Sequence, residues 1–361
     1  MSYYLPKKST RKPSSPSSRR VDASARGRLL RLLAVAIAGG AAGWATAAFG
    51  AGVLGIAATV AAAIVAVGLW NTMPILFRPS PRYASLEPSR LRWPEAAPIE
   101  PAGRHRRLLF CVHGFPSTPA DFRKVAEASD ARGWDLAAPL LPGCGTDPGD
   151  LLPTEWSQYL AAIRDEWTRL RGRYDAACLV GTSMGGSLAL ALAEETCGIP
   201  ASAPAAIATI GSPVVLNAWL RHGIVSNPLV YLSRLLGPLV PSVGAGFPDP
   251  ERKGEDGDGD WKGYRGTYTK QAFSIQLGLR AMERRLDEVT CPALVCHARG
   301  DRMVAFRNAG LLLDRLGSKD IEAYVANMDG FGHMRHNLIL YDSQREPTWD
   351  RILDFFEKRT Y

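Results

Sequence analysis

Residues 181–185 read Gly-Thr-Ser-Met-Gly, and they could place a reactive hydroxyl at the tip of a tight turn. An apolar run ending at Val180 precedes them, and a small-residue helical pattern over residues 187–193 follows. A strand, the pattern G-x-S-x-G and a helix in this order predict a nucleophile elbow. Such a turn leaves no room for side chains two positions before and after the serine, where Gly181 and Gly185 stand. The dipole of the following helix would favour negative charge that develops next to Ser183.

A nucleophilic serine needs a base that takes its proton and an acid that orients the base. The apolar strand pattern at residues 294–296 leads to Asp301, and the pattern at residues 323–325 leads to His333. Serine, acid and histidine in this chain order form one of the known arrangements of a catalytic triad. We therefore predict that Ser183 is the nucleophile, His333 the base and Asp301 the orienting acid.

Other titratable residues compete for these roles. Asp329 lies on the same loop as His333 and is not expected to turn back to meet its ring. His336 is the alternative base, but the Gly-His context of His333 in a loop after a strand favours His333. His336 is then interpreted as a residue at a helix start or behind the site. His113 is expected to fix its own loop. Two further histidines have no constellation around them: His222 and His297.

Backbone donors for an oxyanion are predicted on both sides of the serine. The strand over residues 107–112 opens into His113-Gly114-Phe115, where the N–H of Phe115 could supply one donor. The N–H of Met184, directly after the nucleophile, would supply the other. These motifs imply no metal and no cofactor.

Strand-like and helix-like segments alternate from about residue 84 onward, which predicts a mainly parallel sheet with helices on both faces. Thr154 is the expected cap of the second helix. A long insertion over about residues 214–289 would form a cap over the substrate, after the carboxyl end of a strand. The predicted strands span residues 107–112, 135–141, 176–180, 205–210, 293–296 and 321–326. The predicted helices span residues 119–132, 154–174 and 349–358, besides the one that follows the elbow.

The motifs together resemble the α/β-hydrolase superfamily, and within it the bacterial carboxylesterase and monoacylglycerol lipase branch. The resemblance covers roughly residues 106–360, with one departure, because Cys144 stands where relatives commonly have histidine. It implies the α/β-hydrolase fold and a serine hydrolase of carboxylic esters, with glycerides or other lipid-like acyl esters favoured as substrates. Thioester hydrolysis, peptide cleavage or acyl transfer by the same triad remain open, as does a membrane scaffold without activity. The matching segments are His113-Gly114-Phe115 with Ser117 and Pro119, and residues 139–146, 181–186, 300–304 and 332–333.

The net charge of +8 belongs to the N-terminal tail. Residues 1–31 hold nine basic side chains against one acidic residue, so the other 330 residues are neutral in sum. This distribution argues against a nucleic-acid-binding domain. The tail is also rich in serine and proline, a composition typical of disorder.

Residues 32–77 contain no charged side chain, and a single membrane span needs only about 20 residues. We predict a transmembrane helical hairpin that turns near residues 49–52. Basic residues flank the stretch on both sides, which favours cytoplasmic ends and a cytoplasmic catalytic domain. One span with an external domain is the alternative; a signal peptide would have a much shorter apolar core. Residues 78–105 would then link the membrane segment to a hydrolase domain over residues 106–361.

The six cysteines show no spacing typical of a metal site. Cys111, Cys178 and Cys296 lie in strand-like runs, where cysteine behaves as a small apolar residue. Cys291 and Cys296 are five residues apart and lack a second pair. Nothing in this pattern requires an oxidising compartment.

Overall fold

The computed structural model describes residues 40, 43–44, 52–72, 90–216, 240–247, 256, 261–328 and 334–360. The chain divides into two compact units, Met1–Leu76 and Phe77–Tyr361. In the first unit, helix α1 (Val53–Thr72) begins directly after the predicted turn. Within the described residues, none of the helices has both the length and the apolar content of a membrane span. The predicted transmembrane hairpin therefore stays a prediction.

A parallel sheet forms the centre of the second unit. In the described part of the chain its strand order is β2-β1-β3-β4-β7-β8, and every neighbouring pair is parallel. The α/β fold with a mainly parallel sheet is thus confirmed. Its strands are β1 (Arg107–Val112), β2 (Asp135–Ala137), β3 (Ala176–Thr182), β4 (Ile207–Ile210), β7 (Ala293–Ala298) and β8 (Ile321–Ala326).

Apolar cores lie on both faces of this sheet, as the apolar runs in its central strands predict. On β1, Leu108 and Phe110 point into one apolar core, whereas Leu109 and Cys111 point into the other. The strand is buried along almost its whole length. The described helices are α2 (Ala126–Ala131), α3 (Pro148–Leu151), α4 (Trp156–Leu170), α5 (Met184–Thr196), α6 (Thr269–Glu283), α7 (Arg307–Arg315) and α8 (Asp342–Glu357).

The start of α4 corrects one prediction. Glu155, not Thr154, occupies the cap position, and its amide donates to Oε1 of Gln158 over 3.1 Å. This reciprocal pairing of a cap residue with the third helical residue satisfies amides that the helix itself cannot. The Thr154 hydroxyl instead donates to the carbonyl of Leu151.

The second predicted strand is shorter than expected. Strand β2 ends at Ala137 because Pro139 has no amide with which to continue a ladder. Ala138 leaves the parallel sheet and forms an isolated antiparallel bridge with Ile99. The chain is thereby directed into the loop that carries Cys144.

The insertion between β4 and β7 is described only in part. Residues 217–239, which hold its apolar stretch, lie outside the described residues. The described part contains an antiparallel pair, β5 (Ser242–Gly246) and β6 (Arg265–Tyr268), followed by α6. Helix α6 packs closely on α4, since a Cβ at Gly278 would lie 2.1 Å from the Trp156 ring. This last part of the insertion belongs to the helical layer over the sheet.

Candidate active site

Ser183 lies at the turn from β3 into α5, with φ 52° and ψ −128°. A non-glycine residue in this region costs on the order of 1–3 kcal/mol, so the surrounding structure must hold it there. The Ser183 amide donates to the Ile210 carbonyl at the end of β4, over 2.8 Å. The elbow is thus fixed to the neighbouring strand, and the serine stands at the carboxyl edge of the sheet.

Two glycines allow this turn through close backbone approach. A Cβ at Gly185 would lie 2.1 Å from the Val112 carbonyl oxygen, and one at Gly181 would lie 2.3 Å from the Gly186 Cα. Real Cβ atoms do not come so near to backbone, so a side chain at either position would force the elbow apart. The pattern G-x-S-x-G is therefore a packing requirement of the fold at this site.

Asp301 follows β7, two strands along the sheet from β3, and its side chain is fully buried. Its Oδ1 accepts hydrogen bonds from the amides of Met303 and Val304, each over 2.8 Å. Its Oδ2 lies 2.7 Å from Nδ1 of His336. Because a carboxylate can only accept, Nδ1 of His336 carries the proton and Nε2 is left as a basic lone pair.

The His336 ring lies over the end of β4, the strand between β3 and β7. A Cβ at Gly211, the first residue after β4, would be 3.1 Å from Nδ1 and 3.2 Å from Cε1 of that ring. Neighbouring strands are about 4.8 Å apart, so the strands that carry Ser183 and Asp301 are separated by about 10 Å. An imidazole above the middle strand bridges such a gap. With Nδ1 on Asp301, Nε2 is on the opposite side of the ring.

The predicted base, His333, lies outside the described residues. The role of His333 as the base therefore stays a prediction. The competing His336 lies in contact with Asp301. A hydrogen bond of 3.0 Å from the Arg302 amide to the Met334 carbonyl holds the loop that carries His336 in this position. The sequence shows no constellation around His297, but the structure places its Nε2 3.0 Å from the Val304 carbonyl oxygen and 3.5 Å from Oδ2 of Asp301. Burial lowers the pKa of His297.

The loop after β1 lies directly against Ser183. A Cβ at Gly114 would be 3.0 Å from the Ser183 Cβ and 3.7 Å from its Oγ. Among the described residues, no backbone carbonyl accepts from the Phe115 amide, which comes next in this loop. The Met184 amide lies in the first turn of α5, where helix amides have no intrahelical acceptor. Both predicted oxyanion donors thus border the serine.

The side chain of His113 holds the loop after β1 in place. It is fully buried, and burial lowers its pKa to about 4, so the ring is neutral. Its Nε2 accepts from the Leu141 amide over 3.0 Å, which leaves Nδ1 to donate to the Gly114 carbonyl over 2.9 Å. The ring joins the loop after β1 to the loop that follows β2, in agreement with a structural role.

Sequence reasoning missed Asp121, a fully buried carboxyl behind the site. It accepts from the Ser117 hydroxyl over 2.7 Å and from the Asn337 side-chain amide over 3.1 Å. The Thr182 hydroxyl lies 3.5 Å away. Burial raises the pKa of Asp121 to about 7, against the opposing effect of these donors. Asp121 thus links the loop after β1, the residue before Ser183 and the residue after His336.

The described part of the insertion is attached to the same loops. The Tyr264 amide donates to the Pro116 carbonyl over 3.1 Å, and the Tyr264 hydroxyl accepts from the Thr146 amide over 2.7 Å. Cys144 is buried beside this segment, and burial raises the pKa of its thiol. This position of the loop therefore carries a neutral, apolar side chain.

Two curated proteins similar to this chain are named as a lipase and an esterase. A thermostable monoacylglycerol lipase from Bacillus sp. (strain H-257) is 27% identical over 254 residues, which cover 69% of this chain and 90% of the relative. A carboxylesterase from Bacillus subtilis (strain 168) is 22% identical over 256 residues, covering 70% and 93% respectively.

Solved structures show the same fold. One reported with the metagenome-derived lipolytic enzymes LipS and LipT has a TM-score of 0.61 at 23% identity and covers 73% of this chain and 98% of its own. A soluble variant of monoglyceride lipase from Saccharomyces cerevisiae has a TM-score of 0.55 at 16% identity, with 73% and 90% covered. The profile of the alpha/beta hydrolase family matches residues 108–346, well over half of the chain. The chain therefore belongs to the alpha/beta hydrolase family.

Proposed function

We propose that this chain is a serine hydrolase of carboxylic esters with the triad Ser183, His336 and Asp301. The observation that carries the assignment of the base is the 2.7 Å contact between Nδ1 of His336 and Asp301. The strained backbone of Ser183, two strands from Asp301, supports the nucleophile. The sequence-based choice of His333 becomes the alternative that the experiments separate.

In the proposed reaction, the Ser183 hydroxyl attacks the acyl carbonyl while Nε2 of His336 takes its proton. Asp301 holds the imidazole in this tautomer and stabilises the imidazolium that forms. The amides of Phe115 and Met184 hold the oxyanion, an interaction typically worth about 3–4 kcal/mol per donor. His336 then protonates the leaving alcohol. Water releases the acid from the acyl-enzyme by the same steps.

We infer that the substrates are acylglycerol-like esters. The similar Bacillus protein is named a monoacylglycerol lipase. Phe115, half-exposed beside the serine, contacts the rings of Tyr159 and Tyr268 at centroid distances of 6.2 and 6.1 Å. Since aromatic side chains border the oxyanion loop, the surface that meets an acyl group is apolar, which suits a lipid chain.

Membrane anchoring is the second part of this proposal. Residues 32–77 hold no charge and would cross the bilayer twice, with the basic flanks and the hydrolase domain in the cytoplasm. An anchored enzyme would act where lipid esters concentrate. A reporter that is active only in the cytoplasm, joined to Tyr361, should respond. A silent cytoplasmic reporter together with a responding external one would contradict this orientation.

The ester-hydrolase proposal is tested on the full-length protein in mild detergent. A fluorophosphonate probe should label the wild type and fail to label Ser183→Ala. Thr182→Ser alters the preceding residue but keeps a hydroxyl and serves as the matched control, which should still be labelled. Hydrolysis of monoacylglycerol micelles should exceed that of short soluble esters. Labelling that persists in Ser183→Ala would refute the nucleophile, and cleavage of short esters alone would refute the lipid substrate.

A further inference from the structure

One buried carboxyl lies between three segments that the proposed reaction uses. Asp121 stands on the helical turn Pro119–Val125, which follows the loop after β1, and its side chain is buried. None of the proposed steps transfers a proton to or from it. Burying a carboxyl is costly unless hydrogen bonds compensate for the lost water. The hydrogen bonds of Asp121 therefore indicate what this group does in the folded protein.

The first contact reaches the loop after β1. Oδ1 of Asp121 accepts from the Ser117 hydroxyl over 2.7 Å. The Ser117 amide donates to the Gly114 carbonyl over 2.9 Å and closes a turn that contains Phe115. Since Gly114 lies against Ser183, a rotation of this turn would move the Phe115 amide away from the oxyanion. Asp121 thereby holds the turn that carries one of the two proposed oxyanion donors.

The second contact reaches the residue next to the proposed base. Oδ2 of Asp121 accepts from the Asn337 side-chain amide over 3.1 Å. The Asn337 side-chain oxygen is buried and meets no hydrogen-bond donor among the described residues. The bond to Asp121 therefore orients this side chain and the backbone that leaves His336. On the other side of His336, the Arg335 amide donates to the Tyr341 hydroxyl over 2.8 Å, so the base is held from both sides.

The third neighbour belongs to the nucleophile elbow. The Thr182 hydroxyl lies 3.5 Å from the same Oδ2, and Thr182 directly precedes Ser183. One carboxyl thus faces the oxyanion turn, the elbow and the base. Because a misplacement of about 1 Å can lower a catalytic rate on the order of 10²-fold, a common acceptor for these segments bears on the rate itself.

We propose that Asp121 is a positioning residue for the ester hydrolysis proposed above, on which this role rests. Through Ser117 and Asn337 it holds the Phe115 amide and the His336 ring in place relative to Ser183. Without the carboxylate, both side chains lose their acceptor, and the oxyanion donor and the base lose their alignment. The surface that binds the substrate stays, so kcat should fall while KM changes little.

The test measures kcat and KM of the full-length protein for one activated ester. Ser117→Ala and Asn337→Ala should each lower kcat about tenfold, and Asp121→Ala, which removes both contacts, about 100-fold. KM should stay within about threefold of the wild type in all three variants. Added to Asp121→Ala, neither of the other two substitutions should lower kcat further, because the contact that it removes is already absent.

Two further variants separate positioning from stability. Asp121→Asn can still accept from Asn337 and donate to Ser117, so it should keep kcat within about tenfold of the wild type. Ser129 is a buried group away from the site: its hydroxyl donates to the Val125 carbonyl over 2.7 Å and accepts from the Trp349 indole over 3.0 Å. Ser129→Ala should weaken the fold in urea unfolding and leave kcat unchanged.

Normal kcat in Asp121→Ala would overturn the positioning role, as would effects of Asp121→Ala and Ser117→Ala that multiply in the double variant. An equal loss of kcat in Ser129→Ala would do the same. If Asp121→Ala does not fold, Ser117→Ala and Asn337→Ala decide alone, and normal kcat in both overturns the role. A wild type that leaves the ester intact would refute the proposed function itself, so the two failures are distinguishable.

Discussion

Asp121→Asn should change how the stability of the hydrolase unit depends on pH. Burial raises the pKa of Asp121 from 3.8 to about 7 in the folded protein. Between these two values the folded state keeps a proton that the unfolded chain has released. The free energy of unfolding therefore falls as pH rises through this window, by about 1.4 kcal/mol per pH unit. A shift of roughly three units makes this contribution about 4 kcal/mol in total.

The asparagine side chain does not titrate in this pH range, and it has nearly the same shape as the aspartate side chain. Its carbonyl oxygen can accept from Asn337, and its amide can donate to the Ser117 hydroxyl. Urea unfolding of the full-length protein, followed by tryptophan fluorescence, gives the free energy of unfolding for wild type and Asp121→Asn at pH 4 to 8. Relative to the variant, the wild type should lose about 4 kcal/mol over this range.

A control excludes general effects of pH on the measurement. Asp165→Asn lies on the exposed side of α4, where the carboxylate meets water in both states, and should follow the wild type. If the difference between wild type and Asp121→Asn stays constant within about 1 kcal/mol from pH 4 to 8, Asp121 is ionised throughout. The reasoning from burial would then be refuted.

Further predictions concern the elbow and the acid. Gly185→Ala, whose Cβ would lie 2.1 Å from the Val112 carbonyl oxygen, should abolish activity and destabilise the fold by more than about 3 kcal/mol in urea unfolding. Gly310 lies on α7, where an added Cβ would meet no atom within 4 Å, and Gly310→Ala should instead stabilise the fold by about 0.5–1 kcal/mol. Equal effects of the two substitutions on stability would contradict the argument from the close contact at Gly185. Asp301→Asn should lower kcat on the order of 10⁴-fold with the fold retained, because the amides at its Oδ1 would turn the Asn NH₂ toward His336 and force the wrong tautomer. An unchanged kcat would remove Asp301 from the mechanism.

The sequence predicts most of what local pattern determines. Strands β1 and β8 have the predicted bounds. In β1 the apolar run ends at Val112, where the loop residues begin. The elbow and Asp301 follow from the same logic, since each stands directly after a buried strand. Parallel strands bring their carboxyl ends to one edge, so these residues converge without any further information.

The base could not be chosen in this way. His333 and His336 are three residues apart in one loop, and which ring reaches Asp301 depends on the path of the loop. Arg335, directly before His336, has φ 51°, a left-handed conformation that no pattern assigns to arginine. Its amide donates to the Tyr341 hydroxyl over 2.8 Å, a tertiary contact that stabilises this path. Local sequence carries no signal for such a contact.

Asp121 was missed for a related reason. It lies in a helical turn after the loop that follows β1, and only its burial between three segments makes it important. Packing creates this feature, and spacing along the chain does not reveal it.

The most direct test of the account compares two single variants of the full-length protein, His336→Asn and His333→Asn, in the hydrolysis of one activated ester. We predict that His336→Asn loses kcat by a factor on the order of 10⁴ to 10⁶, while His333→Asn stays within about tenfold of the wild type. Loss of activity in His333→Asn with near-normal turnover in His336→Asn would contradict the proposed triad.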